Sequence, residues 1–285
     1  MARRGFARIL AGEGVPGYGS SPQHPNTIAL IMNRFSRRKL LAAGGLAAAS
    51  VAAGLGSSNA NAAEAQPPDK PGQKFKIVVA GGHPGDPEYG CGGAIARFTD
   101  RGHEVALLYL NHGDPAEILS ENRPMPRVAE AAKACEILKA RPLFAGQIDG
   151  NAVVDAAHYD AFRRIIAAEK PDAVFTHWPI DNHADHRAMS ILVYDAWRHL
   201  KKSFALFYYE VSSGEDTVQF APTVYLDITG TEPRKRLACF AHASQSPDRY
   251  YNLQDMVARM RGAESGHARA EAFVRHIQSP EFSLP

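Results

Sequence analysis

From Phe75 onward, apolar runs of strand length alternate with segments of helical period, and this alternation restricts the fold more than any other feature of the chain. Strands are expected near 75–80, 104–110, 142–146, 173–178, 204–211 and 223–229, and helices near 91–101, 125–140, 155–169, 184–200, 231–243 and 253–277. A strand, a helix and a further strand in repetition form βαβ units, which build a mainly parallel sheet with helices on both faces. Only eleven residues, 212–222, opening on Ser212-Ser213-Gly214-Glu215-Asp216, separate the last two strands. That is too short for a crossover helix, so these two strands are expected to pair antiparallel at an edge.

The residues that carry chemistry fall at strand ends. Gly81-Gly82-His83-Pro84-Gly85-Asp86-Pro87-Glu88 follows the apolar run 75–80, and His183-Ala184-Asp185-His186 follows Ala173 to Trp178. Open α/β sheets bind their ligands at the carboxyl ends of the strands. A His in a turn, or a single HxxH, carries little meaning alone. Two imidazoles and a carboxylate converging from two strand ends form a donor set suited to catalytic Zn²⁺, with one position left for water.

His83-Pro84-Gly85-Asp86-Pro87-Glu88 resembles the metal-binding His-Pro-Asp-Asp-Glu motif of the PIG-L/LmbE-like N-acetylglucosamine deacetylases, and His183-Ala184-Asp185-His186 resembles their His-x-Asp-His motif. Arg127-Val128-Ala129-Glu130 and Ala241-His242-Ala243-Ser244-Gln245 add two further similarities in the same order, so the likeness runs from about Lys74 to about Phe273. The resemblance implies a Rossmann-like α/β fold, one zinc ion, and removal of an N-acetyl group from an amino sugar or glycan. It makes His83, Asp86 and His186 the metal ligands, and His183 the group that holds the oxyanion or protonates the leaving amine. It also draws Arg127 and His242 toward the substrate.

One position departs from the motif. Gly85 stands where the resemblance places the carboxylate that takes a proton from the attacking water. Zinc by itself brings a bound water to a pKa of about 7, and a general base adds about 10² to 10⁴ in rate. Asp114, at the end of the second strand, is the expected substitute, and Gly85→Asp is expected to raise activity if the backbone accepts it. Asp149, after the third strand, is expected to bind a sugar hydroxyl, and Asp185 to hold the tautomer of His183. Two other readings fit the same residues: a hydrolase of a different amide, and a sugar-binding protein that has lost catalysis.

The remaining features narrow the setting. Gly90, Gly92 and Gly93 lack the GxGxxG spacing of a dinucleotide site and are expected to pack closely around the ion. Cys91, Cys135 and Cys239 are widely spaced with no CxxC, which suits small buried hydrophobes. His177 and the other histidines outside the motifs are read as surface or packing residues. With a net charge of +2 and no Lys/Arg cluster interleaved with aromatics, nucleic acid is not an expected partner.

Residues 1–31 read as a disordered leader or an over-extended start. Residues 32–62 read as a twin-arginine export signal, with Arg37-Arg38, an Ala/Gly-rich apolar stretch and Ala60-Asn61-Ala62 before the cleavage point. The apolar stretch is short for a membrane span, so no span is expected after cleavage, and the mature protein is expected in the periplasm or outside the cell. Residues 63–73 form a Pro-rich linker, and 74–285 form the deacetylase-like domain.

Overall fold

The structure, a computed structural model, describes residues 73–114 and 125–285. The leader, the twin-arginine segment and nearly all of the linker lie outside the described residues. In chain order the elements are β1 (Lys76–Gly81), α1 (Asp86–Asp100), β2 (Glu104–Asn111), α2 (Pro126–Leu138), β3 (Arg141–Gln147), α3 (Ala156–Glu169), β4 (Ala173–His177), α4 (Ala184–His199), β5 (Ala205–Tyr209), β6 (Val224–Asp227), α5 (Glu232–Phe240), α6 (Pro247–Ser265) and β7 (Ala270–Arg275). The seven strands form one sheet in the order β3-β2-β1-β4-β5-β7-β6. Strands β1 to β5 are mutually parallel.

Successive side chains of a strand point to opposite faces, and both faces of the central strands are covered. Ile77 and Val79 of β1 join Cys91, Ile95 and Phe98 of α1, Leu138 of α2 and Ala258 of α6 in one core layer. Val78 and Ala80 face the other way, into a layer with Phe162 and Ile166 of α3 and Met189, Leu192 and Trp197 of α4. Helices on both faces of a mostly parallel sheet make this a Rossmann-like α/β fold. All three cysteines are buried and free.

The edge differs from the sequence expectation. The helix read over 253–277 runs from Pro247 to Ser265 and stops at Gly266, whose φ of +79° supplies the left-handed cap. The residues beyond it form β7, which pairs antiparallel with both β5 and β6. Strands β5 and β6 therefore never meet and run in the same direction. The buried side chains of Ala270, Ala272 and Phe273 place β7 between them.

Helix α1 starts five residues earlier than its period suggests. Asp86 and Glu88 lie in its first turn with Pro87 at the start, where acidic groups and proline both favour a helix N-terminus. Gly90, Gly92 and Gly93 do mark close packing, but not around an ion. A Cβ on Gly90 would stand 2.4 Å from Tyr209 of β5, and one on Gly93 2.5 Å from Ile228. These approaches press α1 onto the sheet and fix the height of its first turn.

Candidate metal centre and active site

Strand order reverses between β1 and β4, which lie side by side, and the motifs leave the sheet at their carboxyl ends. The Gly82 N–H donates to Nε2 of His177, the last residue of β4, over 3.0 Å. A Cβ on Gly82 would lie 3.0 Å from the His186 ring, so glycine lets the turn pass beneath that imidazole. His183 is the N-cap of α4, with its Nδ1 accepting from the Asp185 N–H at 3.2 Å. His186 follows in the first turn of the same helix.

Asp86 sits between the ligand-type imidazoles. Its Oδ2 lies 3.3 Å from His83 Nδ1 and 3.2 Å from His186 Nε2. Two bonds of about 2.0 Å meeting at the tetrahedral angle hold their ligand atoms about 3.3 Å apart, so this spacing suits zinc. The far nitrogens of both rings have carboxylate partners. His83 Nε2 faces Asp149 Oδ1 at 3.0 Å and Asp185 Oδ2 at 3.1 Å, and His186 Nδ1 faces Asp181 Oδ1 at 3.1 Å. Asp181 is itself held by the Thr217 hydroxyl at 3.0 Å. Carboxylates behind the imidazoles draw the ring protons away from the centre and leave the inner nitrogens free to ligate.

Three overlapping groups among the described residues can hold an ion: His83, His183 and His186; Asp86, His177 and His186; and His83, Asp149 and Asp185. The expected trio of His83, Asp86 and His186 spans the first two. The sequence reading missed two residues of this centre. His177, read as a surface or packing residue, is fully buried and stacks on His186 with ring centres 3.9 Å apart and planes 6° from parallel. The signal was its place at the end of β4, the same sheet edge as His83. Asp181 was missed although it lies two residues before His183, whose N–H donates to its Oδ1 at 2.7 Å.

Electrostatics follow from this crowding. Burial pushes the Asp86 carboxyl up, but charge on His186 and the ring nitrogens of His177, His186 and His83 close around it outweigh it and hold Asp86 well below the usual carboxylate range. Burial opposes protonation of His186, yet Asp86 and Asp181 raise it to about 9. His177 goes the other way, to about 4, through burial and the neighbouring His186. His183 is lowered by burial and by His83 and His186.

A cavity of about 500 Å³ opens over the centre. Arg127 lines it and clamps two strand-end turns, donating to Pro84 O at 3.0 Å and to Gly113 O at 2.8 Å. Asp149 is partly exposed in the wall, with Arg127 Nη1 at 3.8 Å from its second oxygen. Glu130 accepts from the N–H and hydroxyl of Ser244, both at 2.7 Å, so two of the resembling motifs touch. His242 lines the cavity, and its Nε2 lies 3.0 Å from Glu88 Oε1.

Two placements differ from expectation. Asp114 is buried beside Arg127 and does not line the cavity. Asp185 accepts from His83, not from a ring nitrogen of His183, and is also held by Asn111 Nδ2 at 3.1 Å and the Gly150 N–H at 2.8 Å. Its carboxylate points away from the helix that carries both residues.

The chain is similar in sequence and fold to known proteins. The PIG-L family model, described as GlcNAc-PI de-N-acetylase, matches residues 78–197. A diacetylchitobiose deacetylase of Thermococcus kodakarensis is 24% identical over 216 residues, which cover 69% of this chain and 81% of that protein. Among solved structures, a conserved protein of Thermus thermophilus aligns with a TM-score of 0.63 at 26% identity, over 73% of this chain and 97% of that one. The 4-carboxy-2-hydroxymuconate hydratase of Pseudomonas putida shares the fold with a TM-score of 0.63 at 22% identity, over 75% of this chain and all of that one. The fold thus hosts more than one reaction, while residues 78–197, which carry the first three of the four motifs, match the PIG-L family model.

Proposed function

We propose that this protein is a zinc-dependent hydrolase that removes the acetyl group from an N-acetylglucosamine-type sugar or glycoconjugate. The observation that carries the reading is Asp86 Oδ2 at 3.2–3.3 Å from two imidazole nitrogens whose opposite nitrogens both face carboxylates. His83, Asp86 and His186 would hold the ion. Zinc bound there supplies Lewis-acid polarisation of the amide carbonyl and a water that is acidic near neutral pH.

The chain's own groups do the rest. His183 accepts from the Asp185 N–H through Nδ1, so the neutral ring carries its proton on Nε2. Burial and the adjacent imidazoles keep that ring neutral. Its Nε2–H therefore acts as a hydrogen-bond donor to the acetyl oxygen as negative charge develops there. Asp149 and Arg127 present an acceptor and a donor to sugar hydroxyls along one wall of the cavity.

A second reading, a sugar-binding protein without turnover, draws on the missing side chain at position 85. Hydrolysis of N,N'-diacetylchitobiose and N-acetylglucosamine by zinc-loaded protein, with and without chelator, separates the two. Turnover lost to chelator and restored by zinc supports the hydrolase. Saturable sugar binding with no acetate release supports the binding protein. We further propose export of the folded enzyme through the twin-arginine signal, with envelope glycans as the accessible substrates.

A further inference from the structure

The turn that follows β5 brings two acidic side chains, Glu215 and Asp216, to the wall of the cavity over the candidate centre. Asp216 is half-buried and Glu215 exposed. Neither carboxylate has a hydrogen bond or ion pair among the described residues. The other acids of the centre are all held: Asp86 and Asp149 lie against His83, Asp181 against His186 and Asp185 against His83.

The backbone beneath the two free carboxylates is fixed. The Asn182 N–H donates to Asp216 O and Asn182 Nδ2 donates to Glu215 O, both at 2.8 Å. The next residue, Thr217, donates its hydroxyl to Asp181 Oδ2 at 3.0 Å. The turn is thus stitched to the loop that leads into His183 and His186, and its acidic side chains are presented to the cavity from a set position. Their sign selects what they can receive. Asp86, Asp149, Asp181 and Asp185 more than balance a divalent zinc and Arg127, so Glu215 and Asp216 leave the cavity with a negative field that draws cations and repels anions.

The rim beside this turn is aromatic. Gln254 of α6 accepts from the Ser212 N–H at 3.4 Å, which ties that helix to the same turn. Tyr250 lies four residues earlier, one helical turn along the same face, and it lines the cavity with 39% of its surface exposed. Arg249, which does not line the cavity, packs against the ring with its guanidinium 5.2 Å from the centroid. An apolar ring face next to unpaired carboxylates suits a protonated amino sugar, whose C–H face lies on the aromatic while its ammonium meets the acids. A cavity of about 500 Å³ has room for such a sugar beside the reacting one.

We propose that Tyr250, Glu215 and Asp216 form a subsite for a neighbouring amino sugar that has already lost its acetyl group; the inference rests on the deacetylase reading and narrows its substrate to a partly deacetylated glycan. The reacting N-acetyl sugar lies over the centre, and the ammonium of its neighbour lies at the acidic turn. The enzyme therefore follows an earlier deacetylation of the same chain.

The test compares N,N'-diacetylchitobiose with its two monodeacetylated forms, using zinc-loaded protein at a pH where the free amine is protonated. In wild type, kcat/KM for the better monodeacetylated form should exceed that for the diacetyl form by about tenfold or more, and Glu215→Gln with Asp216→Asn should bring the ratio close to one. A wild-type ratio within about threefold, or a preference that the double variant keeps, overturns the subsite. Calorimetry with fully deacetylated chitobiose reads the subsite without turnover: wild type should bind it about tenfold more tightly than the double variant and than Tyr250→Ala. Equal affinity in all three proteins overturns the proposal. If wild type releases acetate from none of the disaccharides, the deacetylase reading fails instead, and the calorimetry still judges the subsite.

Discussion

Asp185 Oδ2 lies 3.1 Å from Nε2 of His83, a residue 102 positions earlier, while His183 of its own motif receives only its backbone N–H. Asp185 thus anchors the proposed metal ligand His83, in the turn after β1. Loss of such a carboxylate typically costs 10- to 100-fold in metal affinity. Asp185→Asn should weaken zinc binding by about that factor and leave the fold intact, since its amide oxygen can still accept from Asn111 and Gly150. Competition with a chromophoric chelator measures it, and an unchanged dissociation constant would refute the role.

The same carboxylates make the metal-free protein sensitive to pH. His186 is raised from an ordinary 6.5 to about 9, so its protonated form is favoured in the folded state. That contribution is fully present below pH 6.5 and is lost as pH rises through 9, on the order of 3 kcal/mol at most. His83 shifts in the same direction. His177, lowered to about 4, acts only below pH 6.5, where it favours the unfolded chain. The urea midpoint of zinc-free protein should therefore fall between pH 6.5 and 9. Zinc takes the place of the proton, so the loaded protein should show a much flatter profile. A flat profile without zinc would count against this electrostatic account.

Gly85 adopts φ +114° and ψ −40°, a conformation open to glycine and costly for any side chain. A Cβ there would meet the Tyr89 and His242 rings only at ordinary van der Waals distance, 3.8–3.9 Å, so the obstacle is the backbone. Residues forced into such regions cost about 1–3 kcal/mol. Gly85→Asp should lower the melting temperature by roughly 2–4 °C per kcal/mol and give no gain in turnover, contrary to the gain that motif alignment alone suggests. A variant as stable as wild type and several-fold faster would show that the turn rebuilds itself around the new carboxylate.

Export is tested in cells. Arg37→Lys together with Arg38→Lys should leave uncleaved precursor in the cytoplasm, read by fractionation and immunoblot. Normal amounts of mature periplasmic protein would exclude the twin-arginine route.

Periodicity along the chain was enough for β1 to β5, for α2, α3 and α4 to within about two residues, and for the carboxyl ends of β1 and β4 as the place of the chemistry, because each of these depends on neighbours in sequence. The motif residues His83, Asp86, His183 and His186 were legible for the same reason. What tertiary structure decided was partnership. The segment 270–275 has no local mark that makes it a strand, and it becomes one because an open edge beside β5 accepts it. Asp185 turns to His83 because strand order brings β1 against β4, and His177 enters the centre only when its ring stacks on His186. The conformation of Gly85 is likewise set by the clamp of Arg127 on Pro84 and by Glu88 on the Gly85 N–H. Contacts between residues some hundred positions apart are fixed by packing of the whole sheet, and no window of sequence contains both partners.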